Sequence, residues 1–385
     1  RAILRACDEM SRGVFDGEFD LEGLQGGAGT STNMCANEVL ANRALEILGL
    51  ERGCYETVHP LHHVNLHQST NDVYPTALRV AGLRLLRELS GAVEELQNAL
   101  QKKEKDFNAV ATIGRTEWVE AVPVTLGREF SAFAGAFARD RWRTFKCEER
   151  LRVVNLGGTA VGNALTAPRE YVFLVSEKLR LRTGLGLSRA ENLMDATANA
   201  DPFVEVSGIL KALAIDLIKV SRDLRFLHST GEILLPPMQA GSSIMPGKIN
   251  PVGPECVIQV GIRVQANDLV VTECAALGTL QINEFLPLLA VAFLESLELL
   301  AGACRLLART VDGVRVDAER CRRLVEAAPA SITAFLPLIG YEEAERLLDR
   351  FRASGAGNLV DFLKQRLGKD VVERVLSAEN LNALG

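Results

Sequence analysis

The chain has 385 residues, of which 48% are hydrophobic and 24% are charged, and a formal net charge of −6 at pH 7. This is the composition of a globular protein with ample apolar material for a core, and at about 150 residues per domain the length suggests two or three domains. The negative charge makes nucleic acid and anionic membrane poor partners, and an anionic substrate would need a local cationic pocket.

The eight cysteines are scattered and form no CxxC pair, which is typical of free thiols in a reducing compartment. No signal-peptide pattern is visible and the sequence begins with Arg1 rather than Met. We therefore expect a cytoplasmic protein whose N-terminal domain is truncated at its start. The most apolar run, residues 285–294, is shorter than the about 20 residues of a membrane span, so we expect no membrane partner.

Three long segments carry apolar residues at steps of three or four, the spacing of one helix face. They cover about residues 76–105, 203–228 and 285–311, and a fourth segment, about 255–277, is mostly apolar and is expected to be buried all round. Because these helices are about twice the usual length of roughly 11 residues, they need equally long partners. The pattern therefore predicts an all-α fold built on a bundle of long helices.

Polar sections rich in glycine or proline separate the predicted helices, and the C-terminal part shows only shorter helical patterns. This organisation predicts three domains. We expect a helical N-terminal domain over residues 1–69, a central long-helix bundle over residues 70–314 and a small helical C-terminal domain over residues 315–385.

One polar segment, Gly241–Pro251 (GSSIMPGKINP), lies between two predicted long helices, and its glycines and prolines disfavour regular structure. It carries four hydrogen-bonding side chains: Ser242, Ser243, Lys248 and Asn250. A solvated linker is the plain alternative. A phosphate-binding P-loop is disfavoured, because five residues instead of four separate Gly241 from Gly247, and Ile249 follows the lysine.

Three further polar segments precede helical patterns, and each also has a plain explanation. The glycines of Gln25–Glu38 (QGGAGTSTNMCANE) allow a ligand to approach the backbone, although a helix N-cap has a similar sequence. Gln68–Asp72 (QSTND) begins a long helix, whose N-terminus favours anions, although capping alone explains these residues. Gly114–Glu117 (GRTE) is predicted to form a polar turn before an apolar helix.

Four of the five histidines fall within nine residues: His59, His62, His63 and His67. This cluster could indicate a zinc site, but no cysteine or carboxylate joins it at the spacing of a metal ligand. A structural or surface role is therefore the favoured interpretation, and we expect no metal.

The chain resembles the aspartase/fumarase superfamily in five segments that follow the family's order, namely GGAGTSTNM, QSTND, GRTEWVEAVP, NLGGTAVGNALTAP and GSSIMPGKINP. The segment ENLNALG near the C-terminus extends the resemblance over nearly the whole chain. Within the superfamily, three details resemble the aspartate ammonia-lyases. In the superfamily's signature segment, GSSIMPGKINP, the start is preceded by Gln and Ala to give QAGSS, and the end continues as NPVGPE. Thr70 stands where fumarases tend to have serine.

The resemblance implies a carbon–nitrogen lyase of amino-acid metabolism. The expected reaction is the reversible anti-elimination of ammonia from L-aspartate to give fumarate, through an enediolate intermediate and without a cofactor. It also implies an all-α homotetramer in which three chains contribute to each active site. The expected partners are thus a small dicarboxylate and further copies of the same chain.

The resemblance also implies roles for residues. Ser242 matches the general base, and Lys248 is the second residue implied in catalysis. The β-carboxylate is expected at Thr30, Ser69, Thr70 and Ser243, and the α-carboxylate at Thr116, Lys248 and Asn250. Asn71 is the expected partner of the amino group, with help from Thr30. A serine can act as a base only if backbone N–H groups and the nearby lysine favour its alkoxide.

Glu117 departs from the family, since relatives usually have histidine or glutamine there. A carboxylate at this position could pair with the ammonium group of aspartate, which favours an ammonia-lyase over a fumarase. Glu255 matches a supporting carboxylate of the family, and two nearby carboxylates tend to share a proton.

Three alternatives remain open at this stage. A class II-type fumarase would use the same binding residues and base on malate and fumarate. A lyase for another amino-succinate would differ only in what the substrate nitrogen carries. A tetrameric, catalytically silent relative is disfavoured by the intact Ser242, Lys248 and Asn250.

Overall fold

Helices dominate the computed structural model, which describes residues 1–383. Its described part contains fifteen α-helices and six short strands, so the predicted all-α class is confirmed. Leu384 and Gly385, which end both the ENLNALG segment and the predicted C-terminal domain, lie outside the described residues.

The regular elements follow the chain in an order that alternates long helices with short connections. The first helices are α1 (Ala2–Met10), α2 (Thr30–Ile47), α3 (Thr70–Asp106), α4 (Leu126–Leu151), α5 (Arg169–Thr183), α6 (Leu193–Ala198), α7 (Asp201–Thr230), α8 (Val252–Ala276) and α9 (Leu286–Asp312). The later helices are α10 (Ala318–Ala327), α11 (Leu336–Ile339), α12 (Tyr341–Ser354), α13 (Leu359–Leu367), α14 (Lys369–Val375) and α15 (Ala378–Leu381). A short π-helix covers Pro60–Val64. Short 3-10 helices cover Asp16–Glu18 and Pro329–Phe335.

The strands form three two-stranded sheets. Strands β1 (Ala111–Thr116) and β2 (Val119–Thr125) pair antiparallel as a hairpin. Strands β3 (Val153–Val154) and β4 (Ser188–Arg189) pair parallel, and β5 (Ile233–Leu234) and β6 (Arg315–Val316) pair antiparallel.

The four predicted long helices are confirmed as α3, α7, α8 and α9. Helix α4, with 26 residues, was expected only as an apolar helix after Gly114–Glu117, without predicted bounds. Its first half buries three phenylalanines on one face, but its second half, RDRWRTFKCEER, is rich in charge and hides the apolar spacing.

The polar turn predicted at Gly114–Glu117 is wrong for all but Glu117, whereas the apolar helix expected after it is present as α4. Residues up to Thr116 belong to strand β1, and strand β2 intervenes before helix α4. The hairpin forms because β-branched residues line both strands and a two-residue turn joins them.

The chain divides into two compact units, each of which has a high density of internal contacts. The first unit contains Arg1–Ser90, Arg143–Ala214 and Ile262–Leu300, and the second contains Gly91–Trp142, Ile215–Gly261 and the chain from Ala301 onwards. The predicted boundaries of three domains stay a prediction.

The core of the first unit is built around aromatic and aliphatic side chains of the long helices. Phe203 and Phe293 meet edge to face with ring centroids 5.3 Å apart, and Gly82 leaves room for the Phe293 ring. The buried Arg79 guanidinium lies over the Phe203 ring and donates to the Arg150 carbonyl at 3.2 Å. Burial lowers the pKa of Arg79 to about 10.

The second unit contains an aromatic contact between Phe107 and Phe130 and a separate apolar cluster in the C-terminal helices. In that cluster Phe335, Leu363 and Val372 are fully buried. One helix of the described chain, α9, is long and apolar enough to cross a membrane by length and composition alone. Since 61% of its most apolar window is buried and a core helix passes the same test, this is weak evidence for a membrane span.

Candidate active site

The first unit brings the glycine-rich segment against the start of helix α3. Gly29 has a φ of +90°, and a Cβ atom there would run into the Tyr74 ring, so only glycine permits this approach. Thr30 follows as the first residue of helix α2 and donates to the Gly27 carbonyl at 2.7 Å. Asn33 Nδ2, one turn on, donates to the Thr70 hydroxyl at 3.1 Å. Two segments predicted to bind the β-carboxylate are therefore neighbours.

The QSTND segment is held in place by its last residue, Asp72. This fully buried carboxylate accepts the Ser69 N–H at Oδ1 and the N–H groups of Gly157 and Thr159 at Oδ2, each at 3.0 Å. Burial raises the pKa of Asp72, and the backbone donors act in the opposite direction. The carboxylate thus joins the start of helix α3 to the glycine-rich segment NLGGTAVG.

Asn71 is fixed by that same segment. The Asn155 side chain donates to the Asn71 carbonyl at 2.9 Å, and Asn71 Nδ2 donates to the Ala160 carbonyl at 2.6 Å. Ser69 Oγ accepts the Asn71 N–H at 3.2 Å. Both the backbone and the amide of the predicted amino-group partner are therefore positioned within the first unit.

In the second unit, Thr116 and Glu117 lie at the tip of the hairpin. Glu117 and Trp118 have φ values of +52° and +66°, as a two-residue hairpin turn requires. The Trp118 ring packs edge to face on Phe226 with centroids 4.6 Å apart. Glu117 lines a cavity of about 260 Å³ that also exposes the charged groups of Glu129 and Lys219.

A buried ion pair supports the strand that leads to this turn. Arg115 Nη1 lies 2.8 Å from Oε2 of Glu232, which is fully buried. The hydroxyls of Thr112 and Thr230 also donate to this carboxylate. The carboxylate is therefore satisfied by hydrogen bonds, as a buried charge must be.

The signature segment forms an irregular loop between strand β5 and helix α8. Ser242 Oγ accepts the backbone N–H groups of Ile244 at 3.2 Å and Met245 at 3.0 Å. Two backbone donors on one hydroxyl oxygen are the arrangement that stabilises an alkoxide. The exposed Ser243 follows Ser242 in the same loop.

The two ends of this loop contact each other. Asn250 Nδ2 donates to the Gly241 carbonyl at 3.1 Å, and a Cβ atom at Gly241 would run into the Lys248 carbonyl. The Lys248 side chain is exposed. Glu255, in the first turn of helix α8, pairs with Arg225 of helix α7 at 3.4 Å.

The structure groups the predicted site residues by unit. The first unit holds Thr30, Ser69, Thr70 and Asn71, and the second holds Thr116, Glu117, Ser242, Ser243, Lys248, Asn250 and Glu255. Their roles with substrate stay predictions. The contacts of Asp72 with Gly157 and Thr159 were not predicted, because capping already explained an aspartate at the start of a helix. Glu232 carried no motif signal at all.

Two of the histidines, His59 and His63, accept hydrogen bonds from their own turn of the backbone. His59 Nδ1 accepts the N–H groups of Leu61 and His62, and His63 Nδ1 accepts the His59 N–H at 2.9 Å. Across residues 1–383, no group of three or more His, Cys, Asp or Glu side chains is arranged to hold a metal ion.

Comparison with known proteins identifies the family. A family model described as "Lyase" matches residues 1–266. The aspartate ammonia-lyase of Pseudomonas fluorescens is 44% identical over 391 residues, covering 99% of this chain and 82% of that protein. The aspartate ammonia-lyase of Escherichia coli K12 is 40% identical over 382 residues, covering 97% of this chain and 77% of that protein.

Solved structures agree with these relatives. A fumarate lyase:delta crystallin from Brucella melitensis bound to cobalt superposes with a TM-score of 0.93 at 42% identity, covering 100% of this chain and 84% of that one. A class II fumarase from Schistosoma mansoni gives a TM-score of 0.86 at 30% identity, covering 100% of this chain and 85% of that one. The chain therefore belongs to the aspartase/fumarase superfamily of lyases.

Proposed function

We propose that the protein is an aspartate ammonia-lyase, which converts L-aspartate to fumarate and ammonia. The observation that carries the proposal is its identity of about 40% to proteins of that name over nearly its whole length. The arrangement around Ser242 supports it, because the reaction needs a base strong enough to take a proton from a weak carbon acid.

The reaction begins at the carbon next to the β-carboxylate. Ser242 removes a proton from this carbon, and the electron pair spreads into the carboxylate to give an enediolate. The backbone N–H groups that Ser242 accepts stabilise its alkoxide form, and Lys248 adds positive charge in the same loop. The enediolate then expels ammonia from the neighbouring carbon, which leaves fumarate.

The remaining site residues are assigned to the two carboxylates and the amino group. Donors to the β-carboxylate stabilise the charge that develops on it, so they contribute most to the transition state. We assign Thr30, Ser69, Thr70 and Ser243 to the β-carboxylate, Thr116, Lys248 and Asn250 to the α-carboxylate, and Asn71 and Glu117 to the ammonium group. Glu255 supports the start of helix α8.

We further propose that the active form is a homotetramer in which three chains contribute to each site. Helix α8 supports this, because Ile262 and Leu269, seven residues apart on one face, are 58% and 62% exposed. Exposed apolar side chains repeated along one helix face are typical of an interface with another chain.

The function is tested by comparing two adjacent serines. We expect the purified protein to form fumarate from L-aspartate, measured by ultraviolet absorbance. Ser242→Ala is expected to lower kcat by about 10²–10⁴-fold, the range for loss of a general base. Ser243→Ala, which removes one of four assigned β-carboxylate donors and leaves the base in place, is expected to lower kcat by less than Ser242→Ala does. Equal activity of Ser242→Ala and the wild type would rule out the serine base.

A further inference from the structure

The amide of Asn71 has only one orientation in which it fits its surroundings. Its Nδ2 lies 2.6 Å from the Ala160 carbonyl oxygen, which can only accept a hydrogen bond. A rotated amide would place two acceptor oxygens against each other. Within the described chain, the amide oxygen of Asn71 receives no hydrogen bond from the protein. The oxygen is therefore the group that Asn71 offers to a ligand.

The segment that carries the Ala160 carbonyl is held by Asp72. The Asp72 carboxylate accepts the N–H groups of Gly157 and Thr159, the latter directly before Ala160. Thr159 has a φ of +56°, a conformation that residues other than glycine rarely adopt. Such a conformation persists only where surrounding contacts fix it, and here the contact comes from the residue that follows Asn71.

We propose that Asp72 and the Ala160 carbonyl form a positioning device that presents the Asn71 amide oxygen, and not its nitrogen, to the substrate. An ammonium group is a donor only, so it matches an acceptor oxygen. A carboxylate is an acceptor only and is repelled by it. The device therefore determines which substituent of the dicarboxylate lies at Asn71. This inference rests on the proposed function, because it deepens the assignment of Asn71 to the amino group.

The test separates recognition of the amino group from recognition of the carboxylates. KM for L-aspartate and the inhibition constant of succinate, which lacks the amino group, are measured for each variant. The quantity compared is the ratio of KM to this inhibition constant. Asn71→Ala is expected to raise the ratio by about tenfold to a hundredfold, because a hydrogen bond to a charged group is lost. Asp72→Asn is expected to raise the same ratio by about three- to tenfold.

Three further proteins make the test decisive. The double variant Asn71→Ala/Asp72→Asn is expected to show no larger ratio than Asn71→Ala, because Asp72 acts through Asn71. Replacing Val161 with the corresponding α-hydroxy acid weakens the Ala160 carbonyl as an acceptor, and should raise the ratio even if Asp72→Asn fails to fold. Asp370→Asn, an exposed control with the same change of charge, should leave the ratio unchanged.

The outcomes are distinguishable. The inference is overturned if Asp72→Asn and the protein with an α-hydroxy acid in place of Val161 change KM and the inhibition constant of succinate equally. It is also overturned if the effects of the two substitutions in the double variant are additive. In either case the network only stabilises the fold. An unchanged ratio in Asn71→Ala would also overturn it while leaving the lyase activity in place. A wild-type protein that forms no fumarate from L-aspartate would overturn the proposed function and this inference together.

Discussion

Glu117 is the residue at which this chain differs most informatively from the family pattern. It lies at the tip of a hairpin whose turn has positive φ values, next to a cavity in the second unit. We expect Glu117→Gln to raise KM for L-aspartate by about tenfold, because one charge-assisted hydrogen bond to the ammonium is weakened. The inhibition constant of succinate should stay the same, since succinate has no ammonium.

Steady-state kinetics with L-aspartate, together with inhibition by succinate, measures this effect. Glu120→Gln on the neighbouring strand is the matched control, because Glu120 is also exposed and lies three residues away. If kcat and KM are the same in Glu117→Gln as in the wild type, Glu117 has no part in holding the ammonium.

At the residue scale, the predictions cover residues that stand in motifs and omit those that hold the motifs in place. Ser242 and Asn250 were predicted from their place in a dense polar loop. The supporting role of Asp72 needed the fold, because its partners Gly157 and Thr159 are more than 80 residues away in sequence. Glu232 is comparable, because its contact with Arg115 spans 117 residues.

The junction between helices α2 and α3 depends on one glycine. Gly29→Ala would introduce a Cβ atom against the Tyr74 ring and force a non-glycine residue to a φ of +90°. We expect a loss of about 1–3 kcal/mol in the free energy of unfolding from the backbone strain alone. Urea denaturation measures this loss.

Gly357→Ala is the control for that experiment, since a Cβ atom at Gly357 meets nothing within 4 Å. Its effect should stay within about 0.5 kcal/mol. If the two alanine variants are equally stable, Gly29 does not pack closely against the Tyr74 ring of helix α3.

At the element scale, the strength of the periodic signal decided what sequence could predict. Helices α3, α7 and α9 keep an apolar face over their length. The ends of α7 and α9 were predicted to within about two residues, whereas α3 begins at Thr70, about six residues before its predicted start. The bounds of helix α4 were not predicted, because its charged second half obscures the period. The hairpin was missed because a turn of Glu117 and Trp118 lacks the asparagine and glycine that usually mark such turns.

The whole molecule raises the question of how many chains make one site. Ser242 lies in the second unit and Asn71 in the first. If Ser242 and Asn71 of one site come from different chains, a tetramer that mixes Ser242→Ala with Asn71→Ala subunits contains some sites in which both residues are intact. We therefore expect fumarate formation at low L-aspartate concentration to exceed the average of the two separate variants when they are mixed under conditions that allow subunit exchange.

Fumarate formation before and after mixing measures this complementation, and light scattering gives the oligomeric state. A mixture of wild type and Ser242→Ala serves as the control for exchange. Activity that stays at the level of the separate variants, in a sample shown to have exchanged subunits, would contradict shared sites.

At the scale of the whole molecule, the sequence predicted the all-α class because long apolar helices allow few other architectures. The boundaries of the three predicted domains stay a prediction. Contact density divides the chain in the middle of its long helices, for example between Ser90 and Gly91 within α3. A helix that is continuous through such a point gives no sequence signal of a boundary.

The identity of the substrate is tested by measuring kcat/KM for L-aspartate and for L-malate on one preparation of the enzyme. We expect rapid fumarate formation from L-aspartate, with release of one ammonia per fumarate, and no measurable turnover of L-malate. Turnover of L-malate without turnover of L-aspartate would contradict this expectation and identify the protein as a fumarase.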